Sequence, residues 1–221
     1  MKSIIIFFVV LIFYYNCRAQ VAVGFSAGPQ ATTASYTIKN VKQPTDFKYG
    51  FHAGVSLKVF FDRHLYFSPG ISYSLMGYKS TFNQPSMPPD LLAKNNNTSF
   101  HQVDFDFLLQ YDFGNDPAHF FVKAGPAISY IISGREEFDL ITGEYVKRKM
   151  KYGITSDYGP YLGSMVMDLG YETNKGFIIY AYYIHGLASM NNVDGGPQIK
   201  PRVIGLSVGI LLNSKKFSNN K

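Results

Sequence analysis

Three aspartates alternate with aromatic and aliphatic residues in the segment 101–113. Asp104, Asp106 and Asp112 hold even positions, whereas the odd positions from 103 to 113 carry Val, Phe, Leu and Tyr. Successive side chains of a strand point to opposite faces, so the segment predicts one face of carboxylates and one apolar face. Charged residues occupy the polar face of three other alternating segments as well. The charges predicted to share one polar interior are Lys58, Asp104, Asp106, Asp112, Lys123 and Asp168.

These six charges predict a network of ion pairs rather than isolated ions. An unpaired charge in a dry interior costs several kcal/mol, so we expect Lys58 and Lys123 to bridge carboxylates from neighbouring strands. We interpret the network as a static polar core that fixes strand register. The functional alternative is a gated or proton-responsive plug.

A second group of residues has the side-chain types needed for hydrolysis. His101, Asp104 and His185 are predicted near one end of their strands, with Ser99 close by, and acyl transfer needs a base beside a nucleophile. Nothing in their spacing requires these residues to meet, so the sequence assigns no catalytic residue and predicts a protein without enzymatic activity. The five histidines show no ligand spacing for a metal, and no cofactor site is predicted.

The elements that would position these charges are eight alternating segments joined by long and short connections in turn. Phe, Tyr and aliphatic residues share one face, and Gly, Ser and the charges share the other. Segment 177–185 is ambiguous, because its even positions (Ile178 to Ile184) could face either way. The connection 79–99 is predicted to be irregular because it holds several prolines and the run 95–97 of three Asn. The predicted strands are 21–28, 49–61, 65–78, 101–113, 119–132, 158–172, 177–185 and 202–212.

The first nineteen residues have the pattern of a secretory signal peptide, with Lys2, an apolar run over 4–15 and small residues before a cleavage point after Ala19. A permanent membrane anchor is the alternative, but twelve apolar residues are short of the roughly 20 that a spanning helix needs. A lipoprotein signal at Cys17 is another alternative. The predicted domain division is 1–19 signal peptide, 20–213 barrel domain and 214–221 basic periplasmic tail.

The strand pattern predicts an all-β, eight-stranded antiparallel up-and-down transmembrane β-barrel in the bacterial outer membrane. A sheet can cross lipid only when it is closed on itself, and outer-membrane barrels combine an even strand count with short turns on one side and long loops on the other. An eight-stranded barrel is filled by its own side chains, which argues against the alternative of a small-solute channel. The other alternative, a secreted lipocalin-like barrel, would bury the rings and expose the aspartates.

The formal charge of +6 is concentrated at the chain ends, so it does not indicate nucleic-acid binding. The expected partners are outer-membrane lipid and lipopolysaccharide, since basic residues in the segment 147–151 could pair with phosphates. Other envelope or secretion proteins are further expected partners. The oligomeric state is left open.

Three segments resemble the PorT-type outer-membrane β-barrel proteins of the Bacteroidetes. They are GFHAGVSLKVFF (50–61), FSPGISYSLMGYK (67–79) and FVKAGPAISY (121–130). The resemblance covers 20–212 and implies an integral outer-membrane barrel of about eight strands. The member that gives the family its name has a part in protein secretion and gliding, so the resemblance implies a link to secretion. This role does not extend to every relative.

Overall fold

The computed structural model describes residues 21–212. The predicted signal peptide at 1–19 and the predicted tail at 214–221 lie outside the described residues. Within this range the regular elements are all strands, and none of it forms a helix long and apolar enough to cross a membrane. The strands are β1 (Val21–Ile38), β2 (Val41–Lys42), β3 (Thr45–Asp46), β4 (Lys48–Asp62), β5 (Leu65–Thr81), β6 (Asn95–Phe113), β7 (His119–Asp139), β8 (Tyr145–Lys149), β9 (Tyr161–Glu172), β10 (Phe177–Gly186) and β11 (Gln198–Leu212).

Eight of these strands close into a ring. Their order is β1–β4–β5–β6–β7–β9–β10–β11, and β11 pairs back with β1, with all neighbours antiparallel. The short strands β2, β3 and β8 pair with β1, β5 and β7 at the end of the barrel where the long connections lie, here called the outer end. The predicted fold class is therefore confirmed.

The side chains face as the alternation predicts, with rings outward and polar groups inward. In β6, Phe107 is 46% exposed, whereas Gln110 is 1% exposed. Exposed aromatic and aliphatic residues cover the outer wall of all eight strands. The lipocalin-like alternative is therefore wrong, because it requires the opposite faces.

The even positions of β10 face inward, which resolves the facing of the ambiguous segment. Ile178 and Tyr182 are buried, whereas Ile179 and Tyr183 are exposed. The inward rings fit because glycines lie opposite them. A Cβ added at Gly205 would overlap the ring of Tyr182.

The run of three Asn forms the start of β6, so the predicted irregular structure at this position is wrong. The β5–β6 ladder continues to the pair Thr81 and Asn95. Asn95 Nδ2 donates to Asp139 Oδ2 at 2.8 Å, and the Asp139 amide donates to Asn95 Oδ1 at 3.0 Å. Pairing on both sides overrides the weak strand propensity of Asn. In the same way, the predicted link after residue 28 is largely the outer half of β1.

Two aromatic pairs lie at two different heights of the outer wall. Phe120 and Tyr171 have ring centroids 5.0 Å apart, and Tyr130 and Tyr161 have centroids 5.4 Å apart. Each pair joins β7 to β9, and the two pairs lie ten residues apart on both strands. Ten residues at about 3.3 Å each, tilted by about 40°, span about 25 Å of height. That height matches the apolar band of an outer-membrane barrel.

Candidate functional site

Lys58 lies at the centre of an ion cluster at the inner end of the lumen, beside the short turns. Its Nζ lies 2.7 Å from Asp112 Oδ2 and 2.8 Å from Glu172 Oε2. His119 Nε2 lies 3.0 Å from the same Asp112 oxygen. All four side chains are buried, and they come from β4, β6, β7 and β9. Lysine, aspartate and glutamate thus close the inner end with opposite charges in direct contact.

The carboxylates paired with Lys58 lie on β6 and β9, whereas the sequence predicts carboxylates on the strands next to β4, which are β1 and β5. The extended lysine side chain can reach them because an eight-stranded barrel is narrow. Asp112, His119 and Glu172 also offer possible metal-ligand atoms within 4.8 Å of one another. Because the Lys58 amine already contacts both carboxylates, this geometry is that of an ion cluster.

Lys123 is buried in the middle of the lumen, without a carboxylate within 4.0 Å in the part of the chain that the structure describes. Its strand-pairing partner on β9 is Asp168, also buried. The Lys123 amine lies 5.3 Å from the ring centroid of Phe121 and 5.6 Å from that of Tyr180. Lys123 therefore makes cation–π contacts in place of the ion pair with a carboxylate that the sequence predicts.

Asp104 binds three donors inside the barrel, and Asp106 is half-buried one step closer to the inner end. The Ser74 hydroxyl donates to Asp104 Oδ2 at 2.7 Å, and Ser129 and Gln102 donate to Oδ1. Two cavities lined by described residues of this region have volumes of about 60 Å³ each, a size that suits a few water molecules.

His52 was not singled out in the sequence, yet it organises a chain of buried hydrogen bonds. Tyr182 donates its hydroxyl proton to Gln30 Oε1 at 2.8 Å, so His52 Nδ1, 2.7 Å from that hydroxyl, acts as the donor. His52 Nε2 is then the acceptor for the Ser207 hydroxyl at 3.0 Å. This order resembles a nucleophile, a base and an orienting group, but all four residues are buried in the lumen. In the sequence, only the inward position of His52 in the predicted strand 49–61 indicates that it takes part in this hydrogen-bond chain.

The residues considered for catalysis at the rim do not meet. His101 points outward and contacts the Tyr73 hydroxyl through Nδ1, whereas Asp104 points inward. His185 faces outward on β10, on a different part of the ring, and its Nδ1 lies 3.2 Å from the Tyr183 hydroxyl. The structure therefore assembles no catalytic group from His101, Asp104 and His185.

The long connections fold over the outer end and close it. Buried Glu136 accepts a hydrogen bond from Arg148 Nε at 2.7 Å and another from the Tyr158 hydroxyl. Burial raises the pKa of the Tyr158 hydroxyl well above its ordinary value, which keeps the donated proton in place. Arg148 also donates to the Pro89 carbonyl at 2.7 Å and so ties two connections together. The apolar cluster beneath this lid includes Tyr36, Tyr78, Phe100, Tyr158, Met190 and Ile199.

A closed eight-stranded ring with an apolar wall and a charged interior defines an integral outer-membrane barrel. The chain belongs to the family described as outer membrane protein beta-barrel domain, whose sequence profile matches residues 16–192. The protein accordingly resides in the outer membrane. No curated protein matches the sequence.

Solved outer-membrane barrels are similar to the chain in fold at low sequence identity. The attachment invasion locus protein Ail of Yersinia pestis is 12% identical with a TM-score of 0.44, and the match covers 87% of this chain and 99% of Ail. OprG of Pseudomonas aeruginosa is 8% identical with a TM-score of 0.47, covering 88% and 96%. Neisserial surface protein A is 16% identical with a TM-score of 0.39, covering 86% and 96%.

Proposed function

We propose that this protein is a non-conducting barrel that acts structurally or by interaction through its outer loops, and neither as a channel nor as an enzyme. The closure of the lumen at both ends carries this proposal. The ion cluster around Lys58 fills the inner end, and the lid held by Glu136 and Arg148 covers the outer end. The cavities between them, of about 60 Å³ each, leave no room for a solute of nutrient size.

The outer loops supply a surface suited to a protein partner. The Ile141 amide donates to the Leu92 carbonyl at 2.8 Å, and the Lys94 amide donates to the Asp139 carbonyl at 2.8 Å, so two connections form one continuous surface. Leu91, Leu92 and Ile141 are all exposed there. Exposed apolar side chains grouped on a polar surface are typical of interaction sites.

The partner that we propose is a component of a protein-secretion machine. The resemblance to the PorT-type barrels supports this assignment. The apolar patch of Leu91, Leu92 and Ile141 gives the proposal a defined contact surface.

Single-channel recording in planar bilayers tests the closed lumen. The purified protein is expected to give no conductance steps under conditions in which an open porin does. Reproducible steps would contradict the proposal and favour the small-solute channel.

Crosslinking in intact outer membranes, followed by affinity capture, tests the interaction role. We expect a defined envelope protein to be captured by the wild type and lost in the double variant Leu91→Asp, Ile141→Asp. The matched control is the double variant Ile154→Asp, Leu187→Asp, which places the same two charges on other exposed outer loops and should retain the partner. Equal capture by all three proteins would refute the apolar patch as the contact, and the absence of any partner would refute the interaction role.

A further inference from the structure

A groove of about 450 Å³ lies on the outward face of the wall near the outer end. Strands β6 and β7 form its floor, and residues from β4 and β8 border it. The groove lies outside the lumen, on the face of β7 and β8 opposite to the contact between Glu136 and Arg148. The residues that matter most for its chemistry are Lys48, Ser99, His101, Arg135, Glu137 and Lys149.

The groove has an excess of positive charge. Lys48 Nζ donates to Asn97 Oδ1 at 2.7 Å and to Ser99 Oγ at 2.6 Å, neither of which is charged. Arg135 and Lys149 are exposed and make no ion pair with the residues between 21 and 212. These three cations therefore lie around one space, and none of them has a carboxylate oxygen within 4.0 Å among the described residues.

The acidic side chain of the groove is already neutralised. Glu137 Oε1 lies 2.6 Å from Lys147 Nζ, at the side of the groove. Arg148, the middle residue of the basic run, turns inward to Glu136 and takes no part. The basic run at 147–149 thus divides, and Lys149 joins Arg135, its strand-pairing partner on β7.

The height of the groove above the outer aromatic pair indicates which part of the membrane surrounds it. His101 stacks on Tyr73, with ring centroids 5.9 Å apart, and Val103, two residues away, pairs with Tyr130 of the outer aromatic level. At about 3.3 Å per residue and a tilt of about 40°, His101 lies about 5 Å above that level and Arg135 about 10 Å above it. The headgroup region adds about 5–8 Å to each side of the hydrocarbon, so His101 lies within it and Arg135 lies at its outer surface.

We propose that the groove binds the phosphate groups of an outer-leaflet lipid headgroup, of the lipopolysaccharide type. Arg135 can contact two phosphate oxygens through its planar guanidinium, and Lys48 and Lys149 add point charges. The acyl chains of the same lipid would then cover the apolar wall below Tyr73 and Tyr130. One lipid molecule would both pair with the cations of the groove and cover the apolar wall below it, whereas a soluble acidic ligand would pair only with the cations. The site is independent of whether the lumen conducts.

Native mass spectrometry of the purified protein in detergent tests this site. Diphosphorylated lipid A is added, with the same lipid stripped of its phosphates and inorganic phosphate as two further arms. We expect the wild type to retain the phosphorylated lipid and to bind the stripped lipid about tenfold or more weakly. The double variant Arg135→Gln, Lys149→Gln should lose affinity for the phosphorylated lipid by a similar factor.

The matched control is the double variant Lys39→Gln, Lys175→Gln, which removes two charges from exposed turns away from the groove. It should bind the phosphorylated lipid as the wild type does, and circular dichroism should report the same strand content for all three proteins. Equal affinity of the groove variant and the wild type would overturn the proposal. Full displacement of the lipid by millimolar inorganic phosphate would overturn the lipid assignment in favour of a free-anion site.

Discussion

Lys58 and Lys123 show how the same residue type is accommodated in two ways within one lumen. Lys58 makes two ion pairs shorter than 3 Å, and His119 adds a further contact to the same carboxylates. Lys123 instead lies over the rings of Phe121 and Tyr180. At the inner end of the lumen, removal of Lys58 would therefore leave two buried carboxylates without their ion-pair partner.

We predict that Lys58→Met destabilises the barrel by about 3–5 kcal/mol, because it leaves Asp112 and Glu172 buried without their shared cation. Urea unfolding in lipid vesicles, followed by far-ultraviolet circular dichroism, measures this change. The triple variant Lys58→Met, Asp112→Asn, Glu172→Gln removes the whole charged group and should recover more than half of the loss. A triple variant less stable than Lys58→Met would show that the cluster contributes more than charge compensation.

At the scale of the strand, alternation predicted the wall and the polar face of the strands, but neither the buried charges Glu136 and Glu172 nor the ends of the strands. The outer halves of β1 and β6 carry Thr, Ser and Asn with no apolar face for lipid, so their pattern resembles that of loops. They are strands because the neighbouring strand pairs with them, as at Thr81 and Asn95. Tyr182 of β10 could not be placed from its own segment, since the space for its ring comes from Gly205 on the next strand.

The seam between β1 and β11 closes the barrel, and we predict that Gly28→Ala weakens it. A Cβ at this position would overlap the carbonyl of Leu206 on the partner strand. Relief of that overlap requires the strands to separate, at a cost of about 1–3 kcal/mol. The loss should appear as a lower urea midpoint with an unchanged slope.

Gly163→Ala in β9 is the matched control, since a Cβ there has no other atom within 4 Å. Its unfolding midpoint should remain within the error of that of the wild type. Equal stability of the two variants would contradict a tight seam at Gly28.

At the scale of the whole molecule, the protein reverses the arrangement of a water-soluble protein. Its aromatic rings cover the outer wall, which faces lipid, and its charged side chains lie in the lumen. The sequence predicted this arrangement because a period of two is visible within each strand. The inner ion cluster could not be predicted as a unit, since Lys58, Asp112, His119 and Glu172 lie on four strands and meet only when the ring closes. Closure is a property of the register of all eight strands, which no single segment encodes.

The two aromatic levels also define the depth of each wall residue in the bilayer. The loss of stability caused by an arginine at different heights tests these depths. Met167 is exposed on β9 near the midpoint between Tyr161 and Tyr171, so Met167→Arg would place a cation near the bilayer midplane. We predict a loss of about 2–4 kcal/mol for this variant, against about 0–1 kcal/mol for Leu212→Arg at the inner edge of the band. Reversible urea unfolding in vesicles of matched thickness measures both losses. If the two variants are equally stable, Met167 does not face hydrocarbon, and the depth scale set by the aromatic pairs does not hold.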